Sequence, residues 1–453
     1  MISIMKKYSK IFLLGLTAIL FSCADEFVDT TPTDNIPGEN IIIDEASAES
    51  ALNGLYSGLQ LSRVYGGYDT FYTGLYADEM SHTGSFPSFA ELGGNDPALN
   101  NVEIVNYWNQ HYSAIYRANL IINTVESAEL GLNEDAVLRI AGQAKGIRAL
   151  VYYKLVKVFG GVPLIFDAFT SPDDIDQNPT PRSSVSEVYS QILTDVNSAI
   201  SDVPEGLDYY RFNHNAALML LAKVQMELGN YTDAEATLEP IIGEYSLENS
   251  YQSLFGTNGL TASSQETIFA VDFSDTDGGN HAFFNLISAK GGRGEVAASA
   301  ALINEFEDGD ERSILITAQN EIGKYTQPGT GNDDAYVFRY ADALLMYAEL
   351  LARRDDPDAS DYINEVRDRA NLGGVTLNSS NFVELIAHER FVEFFGESSD
   401  RLFTITRLGI ADEVIENKPN NVFIAERNNL WPIPQQEIER NSAITVDDQN
   451  PGY

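Results

Sequence analysis

Apolar residues recur at helical spacing through most of this chain. Ala51, Leu52, Leu55 and Leu59 make one stripe at intervals of three and four. Val105, Trp108, Tyr112, Ile115, Tyr116, Leu120 and Ile122 lie mainly on one side of a longer segment, which predicts a helix over about Val102–Val125. A further helix is expected over 144–159, stopped by Gly160, Gly161 and Pro163. Residues 184–187 read as a capping box: the Ser184 hydroxyl accepts the third amide and Glu187 reaches back. The helix behind it repeats Val185, Val188, Ile192, Val196 and Ile200. A helix over 216–228 ends at Gly229. A second capping box, 232–235, leads on through Leu238 and Ile241. Together they predict a helix–turn–helix pair over 216–242, about the length of a tetratricopeptide unit. The small side chains of Ala217, Ala222 and Ala234 let its helices approach closely. Tyr340–Arg353 with 361–370 predicts another pair.

Two stretches break this pattern. Residues 23 to about 40 are rich in Thr, Pro, Asp and Asn with no apolar period, and read as a flexible tether. Residues 251–335 are rich in Gly, Ser, Thr, Asn and Asp, with a β-like run at 267–273. They predict a loop-rich excursion with two or three short strands. Loops carried on a rigid scaffold are where binding residues concentrate.

The N-terminus has a different logic. Lys6, Lys7 and Lys10 precede an apolar run of eleven residues, 11–21. That is short of the ~20 a membrane-spanning helix needs, and it fits a secretory signal over 1–22. Cys23, the only cysteine, follows directly. Leu20-Phe21-Ser22-Cys23 resembles a bacterial lipobox, with Phe21 where that pattern prefers a smaller residue. The resemblance implies lipidation of Cys23. The alternative is an ordinary signal with a stray buried cysteine. Each buried acyl CH₂ contributes roughly 0.8 kcal/mol; one chain binds marginally and two hold stably. No disulfide is available to staple the fold.

Charge narrows the partners. The chain carries 67 acidic against 28 basic side chains. Removing the signal deletes three lysines and no acids, which takes the net charge from −39 to −42. Such a surface repels nucleic acid, and it disfavours polyanions unless a local basic pocket intervenes. Solubility or adaptation to salty water explains the charge equally well. Asp25 and Glu26 either begin a solvated tether or, beside Cys23, resemble a surface-export signal.

Catalytic chemistry is not legible. His82, His111, His214, His281 and His388 are scattered, with no pair four apart. No Walker loop is present, and Gly329-Thr330-Gly331 lacks the rest of a dinucleotide fingerprint. Asp78 and Glu79 are adjacent, so on a helix they point apart rather than flank a glycosidic bond. The sequence therefore predicts no catalytic residues, no metal and no cofactor. Aromatics carry more information: 23 Tyr and 23 Phe against two Trp. Sugar C–H faces stack on rings while polar neighbours bond the hydroxyls. Tyr65, Tyr68 and Asp69 flank a Gly-Gly pair. His82, Phe86 and Phe89 lie in or beside a Gly/Pro/Ser-rich loop, and His281, Phe283, Phe284 and Arg293 lie in the later excursion. Core packing competes with ligand binding at each ring. Trp108 and Trp431 are read as core.

Several segments together resemble the SusD/RagB family of Bacteroidota outer-membrane lipoproteins. They are 116–119 (Tyr-Arg-Ala-Asn), 144–149 running into 159–163 (Phe-Gly-Gly-Val-Pro), 336–349, 364–370, 388–390 (His-Glu-Arg), 393–397, 430–434 (Leu-Trp-Pro-Ile-Pro) and 449–453. One departure is 401–408, where the family often has Asp near Thr404 and Trp after the last Arg. The resemblance implies a mainly α, single helical fold built on four tetratricopeptide-like pairs. Expected regions are the signal (1–22), a lipidated tether (23–45), an N-terminal helical region (46–250), the ligand-facing excursion (251–335) and a C-terminal region (336–453). It also implies an outer-membrane location facing the cell exterior. The implied partner is a SusC-like TonB-dependent transporter, on which the protein sits as a hinged lid. The implied ligand is an oligosaccharide, or in some members a peptide. Asp78 is the positional carry-over for a ligand contact. Arg148, Arg339, Arg390 and Arg401 lie in or near apolar helices and would need carboxylates, with Asp342, Glu349, Glu389, Glu393 and Glu397 at hand. A tetratricopeptide adaptor that binds only proteins, and a hydrolase, are the readings from other classes.

Overall fold

The computed structural model describes residues 42–127, 130–168, 178–255, 264–273, 281–287, 292–325 and 333–453, with no side-chain description at 284 and 285. The signal segment, Cys23 and the tether up to residue 41 lie outside the described residues.

The predicted helices form, and most begin on a side-chain cap. Helix α1 (Glu45–Leu59) starts on Asp44, whose carboxylate accepts Ser47 N at 2.8 Å. Helices α2 (Tyr68–Tyr76) and α3 (Pro87–Gly93) are short and follow it. Helix α4 (Val102–Val125) starts on Asn101, which accepts the amides of Glu103 and Ile104. Helix α5 (Glu134–Phe159) is ten residues longer than its apolar pattern predicts and starts on Asn133. Helix α6 (Val185–Asp202) has the expected Ser184–Glu187 box. Helix α7 (His214–Glu227) is capped by Asn213. Helix α8 (Tyr231–Leu238) corrects an expectation: it begins ahead of Thr232, on Asn230, with no side-chain cap. Gly229, at φ +75°, turns the chain so sharply that Thr232 is already inside the helix.

Short elements follow. Helix α9 is Phe283–Ile287 and α10 is Ala300–Glu305. Helices α11 (Tyr340–Arg353) and α12 (Ala359–Arg369) form the second predicted pair. The chain closes with α13 (Phe382–Phe394), α14 (Asp400–Arg407), α15 (Ala411–Glu416) and α16 (Gln435–Arg440). Helices α1, α4, α5, α6, α7, α8, α11 and α12 pack in that order, each on the next. They make a continuous stack of four helix pairs. Helix α13 packs on α11, and α14 packs on both α13 and α2. Two small antiparallel sheets lie beside the stack. One joins β1 (Met80–His82) to β3 (Val296–Ala298), and the other joins β2 (Thr267–Val271) to β4 (Ala335–Arg339).

The buried arginines do pair with carboxylates, but of the expected set only Asp342 serves Arg148, Arg390 or Arg401; Asp195, Asp400 and Asp78 are partners the sequence did not single out for them. Arg148 forks onto Asp195 at 2.7 Å and reaches Asn119. Arg390 pairs with Asp342 and Asp400, and Arg401 with Asp78. The tryptophans are core as expected: Trp108 and Trp431 are buried, and Trp431 meets Tyr76, Tyr107 and Phe159 edge-on.

The Gly160-Gly161 stop has a steric reason. Gly160 takes φ +72°, and a Cβ on Gly161 would stand 2.1 Å from Ser183 O. Arg182 ties the turn by donating to Gly161 O at 2.7 Å and Phe159 O at 2.9 Å. Gly161→Ala must push two backbones apart and is expected to cost roughly 1–3 kcal/mol. Urea unfolding followed by circular dichroism measures it; an unchanged midpoint contradicts the contact.

Candidate ligand-binding site

Strands β1 and β3 bring together two stretches far apart in the sequence. Their register, Met80 with Ala298 and His82 with Val296, sets residues 83–86 beside 292–295. Thr83 N and Gly84 N donate to Glu295 O at 2.9 and 3.3 Å. The Glu295 carboxylate accepts Ser85 N at 2.7 Å and Phe86 N at 3.0 Å, amides just ahead of α3 that its own turns leave free. Burial pushes this carboxyl up, but the two amides and Arg293 outweigh it and hold it below its ordinary range.

Arg293 donates to Glu295 at 3.3 Å and lays its guanidinium 4.2 Å above the Phe86 ring. Phe86 meets Phe89 edge-on, and Phe89 meets Tyr68 and Tyr72. Tyr68 opens α2 behind Gly67, which takes φ +97°. A Cβ there would stand 2.8 Å from Phe283 N, so glycine is what lets this turn close on the 281–283 segment. Arg63 lies 4.3 Å over the Tyr68 ring and is held by Glu103 at 3.0 Å and the Tyr72 hydroxyl at 3.1 Å. The result is a platform of two half-buried rings, each backed by a flat guanidinium, with Arg293 exposed. Stacked guanidinium and ring form a flat surface with outward N–H donors. That geometry suits a sugar ring, whose C–H face stacks while its hydroxyls accept.

Strand β1 also lines a cleft of about 900 Å³, with Asp78, His82, Asn381, Glu384, Glu413 and Lys418 in its wall. His82 Nε2 lies 3.7 Å from Glu295, so cleft and platform adjoin. Two charged groups of the wall are already engaged. Lys418 donates to Leu75 O, Tyr76 O and Asn95 at the end of α2, and burial pushes its amine down to about 7. Asp78 receives a two-pronged bond from Arg401, both arms at 2.7 Å. It is a structural counter-ion rather than a free ligand carboxylate, which corrects the carry-over. Glu384 and Glu413 remain, so the wall favours hydroxyl donors over anions.

Other sequence candidates lie in the core. The Tyr65 ring sits 3.8 Å under the Lys154 ammonium. Asp69 is fully buried and bonds Lys154 at 2.7 Å and Ser398. Phe89 is buried, and Phe283 stacks on Phe71 at 4.6 Å. His281 packs between Phe273 and Tyr325, and burial pushes its imidazole down to about 3. These residues are buried and shape the site from beneath. The Phe284 side chain lies outside the described residues. Tyr68, Phe86 and Arg293 meet at the surface, with His82 at the cleft edge. Arg63 went unread, although it stands shortly before the Tyr-Gly-Gly-Tyr run that the sequence does single out. Glu295 carries no local signal at all. Among the described residues no group of His, Cys, Asp and Glu is placed to hold a metal.

The helix stack with loops gathered on β1 and β3 defines a class of mainly helical binding protein. Residues 26–226 match a SusD-like family described as starch-binding and associating with the outer membrane, and 315–453 match the SusD family. SusD-like protein P2 of Formosa agariphila is 27% identical, covering 99% of this chain and 100% of that one. A SusD superfamily protein of Bacteroides vulgatus superposes with TM-score 0.79 at 23% identity, over 90% of this chain and 99% of that one. A laminarin-binding SusD-like protein gives 0.77 at 23%, over 91% and 100%. Surface glycan-binding protein A of Bacteroides thetaiotaomicron, in complex with laminarihexaose, gives 0.76 at 21%, over 90% and 99%. The chain belongs to the SusD/RagB family. That family is one of outer-membrane-associated binding proteins, not of enzymes.

Proposed function

We propose that this chain captures a glycan outside the cell and delivers it, as a hinged lid, to a SusC-like TonB-dependent outer-membrane transporter. In this reading acyl chains on Cys23 hold it at the membrane. Among the described residues no helix is long and apolar enough to cross one. The observation that carries the reading is the platform: Tyr68 and Phe86, both packed edge-on against Phe89 and each stacked with a guanidinium. Two structural neighbours are a laminarin binder and a laminarihexaose complex, which supports a neutral glucan as the first ligand to try. The acidic cleft wall beside the platform agrees with a neutral sugar.

The test is affinity electrophoresis and calorimetry on laminarin and a panel of neutral glycans. Tyr68→Ala and Phe86→Ala are each expected to weaken binding by about tenfold, since a stacked ring contributes on the order of 1–2 kcal/mol. Helical circular dichroism should stay unchanged. Binding to peptides but to no glycan supports a peptide-carrying lid instead. Glycan binding that survives both variants moves the site elsewhere.

A further inference from the structure

The cleft beside the platform is walled in part by the start of α10, at Ala300 and Ala301, and by the start of α13, at Val383 and Glu384. Helix α10 has only six residues and follows β3 through its cap Ser299. Its far end meets α13 through His388. The ring Nδ1 lies 2.8 Å from the carboxylate of Glu305, the last residue of α10, and Nε2 lies 3.2 Å from that of Glu307 just beyond it. A neutral imidazole has one N–H and can donate to only one of the two. Carboxylates on both ring nitrogens are satisfied together only by imidazolium.

The charges around the ring agree. Glu305 and Glu307 approach it from α10 and the turn after it; Glu389 stands next to it on α13, with Glu384 one turn earlier. Two cations oppose them. Arg367 of α12 bonds Glu307 at 2.7 Å and Glu389 at 3.0 Å, and Arg401 of α14, forked onto Asp78, reaches Glu305 with its field. Burial pushes the His388 imidazole down, but Glu305, Glu389 and Glu307 outweigh it and hold it above its ordinary value. The folded value thus lies above the unfolded one. The hold is complete below the ordinary value of 6.5 and drains as pH rises through the folded value. The neutral ring then keeps at most one of its two bonds, and that bond has lost its charge.

We propose that His388 is a proton-operated latch on the cleft wall: as imidazolium it pins the end of α10 and the turn after it to α13, and as imidazole it releases one of them and loosens α10. Because Ala300 and Ala301 line the cleft, the wall beside the platform is firm in acid and yields in base. The latch acts on the wall whatever ligand the cleft takes, so it does not rest on the glycan reading.

The test compares the full-length protein with His388→Gln by hydrogen-exchange mass spectrometry at matched pH. Glutamine keeps one amide donor and has no proton to lose. At about pH 5.5 the amides of 300–307 are expected to exchange about fivefold more slowly in wild type, the share of a charged hydrogen bond left to a partly exposed pair. At about pH 8.5 the two proteins should exchange alike there, and the α11 amides should agree at both. Every other titrating group, Glu79 included, is present in both proteins, so its effect cancels in the ratio. A second measurement follows the ring itself. The His388 carbon resonance, assigned by its loss in His388→Gln, should titrate above the ordinary value, and Glu305→Gln should bring it down. Equal protection in acid, a wild-type advantage that persists in base, a difference spread equally over α11, or a ring that titrates at or below its ordinary value overturns the latch.

Discussion

Arg339→Ala is expected to destabilise the protein by roughly 3–5 kcal/mol, read directly as a collapse of the urea midpoint. Arg339 is 1% exposed, between β4 and α11. Its Nε and Nη2 hold Glu397 at 2.9 Å, its Nη1 holds Glu266 at 2.7 Å and Glu393 at 2.5 Å, and Nη2 also reaches Glu393 O at 3.0 Å. Around it Arg312, Arg369 and Lys324 serve the same buried acids, and Arg312 shares Glu389 with Arg367. Coulomb attraction here offsets the desolvation of each ion only while the set is complete. Burial pushes the Glu397 carboxyl up, but Arg339 and Lys324 outweigh it and hold it below its ordinary range. Alanine at 339 leaves three carboxylates in the interior with fewer cations. Arg339→Lys should fall between, because it keeps the charge but loses the fork. An alanine variant within about 1 kcal/mol of wild type shows the network to be dispensable.

That network was half legible. Arg148, Arg339, Arg390 and Arg401 stand out in the sequence because a guanidinium inside an apolar helical run demands an acid. Which acid it finds is a matter of tertiary distance. Asp78 is a ligand contact only by its position in the family resemblance, and nothing local reveals that Arg401 crosses the fold to meet it. Helices follow the same rule. Val102–Val125 and Tyr340–Arg353 are continuous apolar patterns and emerge with those bounds. The first ten residues of α5 were lost to a pattern interrupted by Gly142. There the glycine answers a neighbour, since a Cβ would meet Asp202 at 3.0 Å and Val203 at 3.1 Å. At the site, the sequence singles out the aromatic loops, but the sorting of rings into surface and core is not written locally. It depends on β1 finding β3, three residues on each side. So short a pairing has no periodicity of its own.

The charge network reaches the site through one buried acid. Gly396, between Glu393 and Glu397, donates its amide to Glu79 at 2.8 Å. Glu79 directly precedes β1, and its backbone carbonyl accepts Ser299 N beside β3. Burial pushes the Glu79 carboxyl up to about 8; the Gly396 amide, Lys324 and Arg401 pull it down, and Asp78 adds to the rise. The folded value thus lies above the unfolded one, near 4.5. Between the two the folded state binds the extra proton, so the stability from this group is complete below the unfolded value and drains as pH rises towards 8. The arginine-held carboxylates Glu349, Glu393 and Glu397 run the other way, and lose their contribution only as pH falls below the ordinary carboxylate range. The window from pH 5 to 8 therefore isolates Glu79 when wild type is compared with Glu79→Gln, which keeps the acceptor for Gly396 and cannot ionise. The variant is expected to match wild type near pH 5 and to exceed it at pH 8 by an amount on the order of a few kcal/mol. Urea midpoints at the two pH values measure this. Parallel stability curves for the two proteins would mean that Glu79 ionises normally, and that the turn between the network and β1 is open to water.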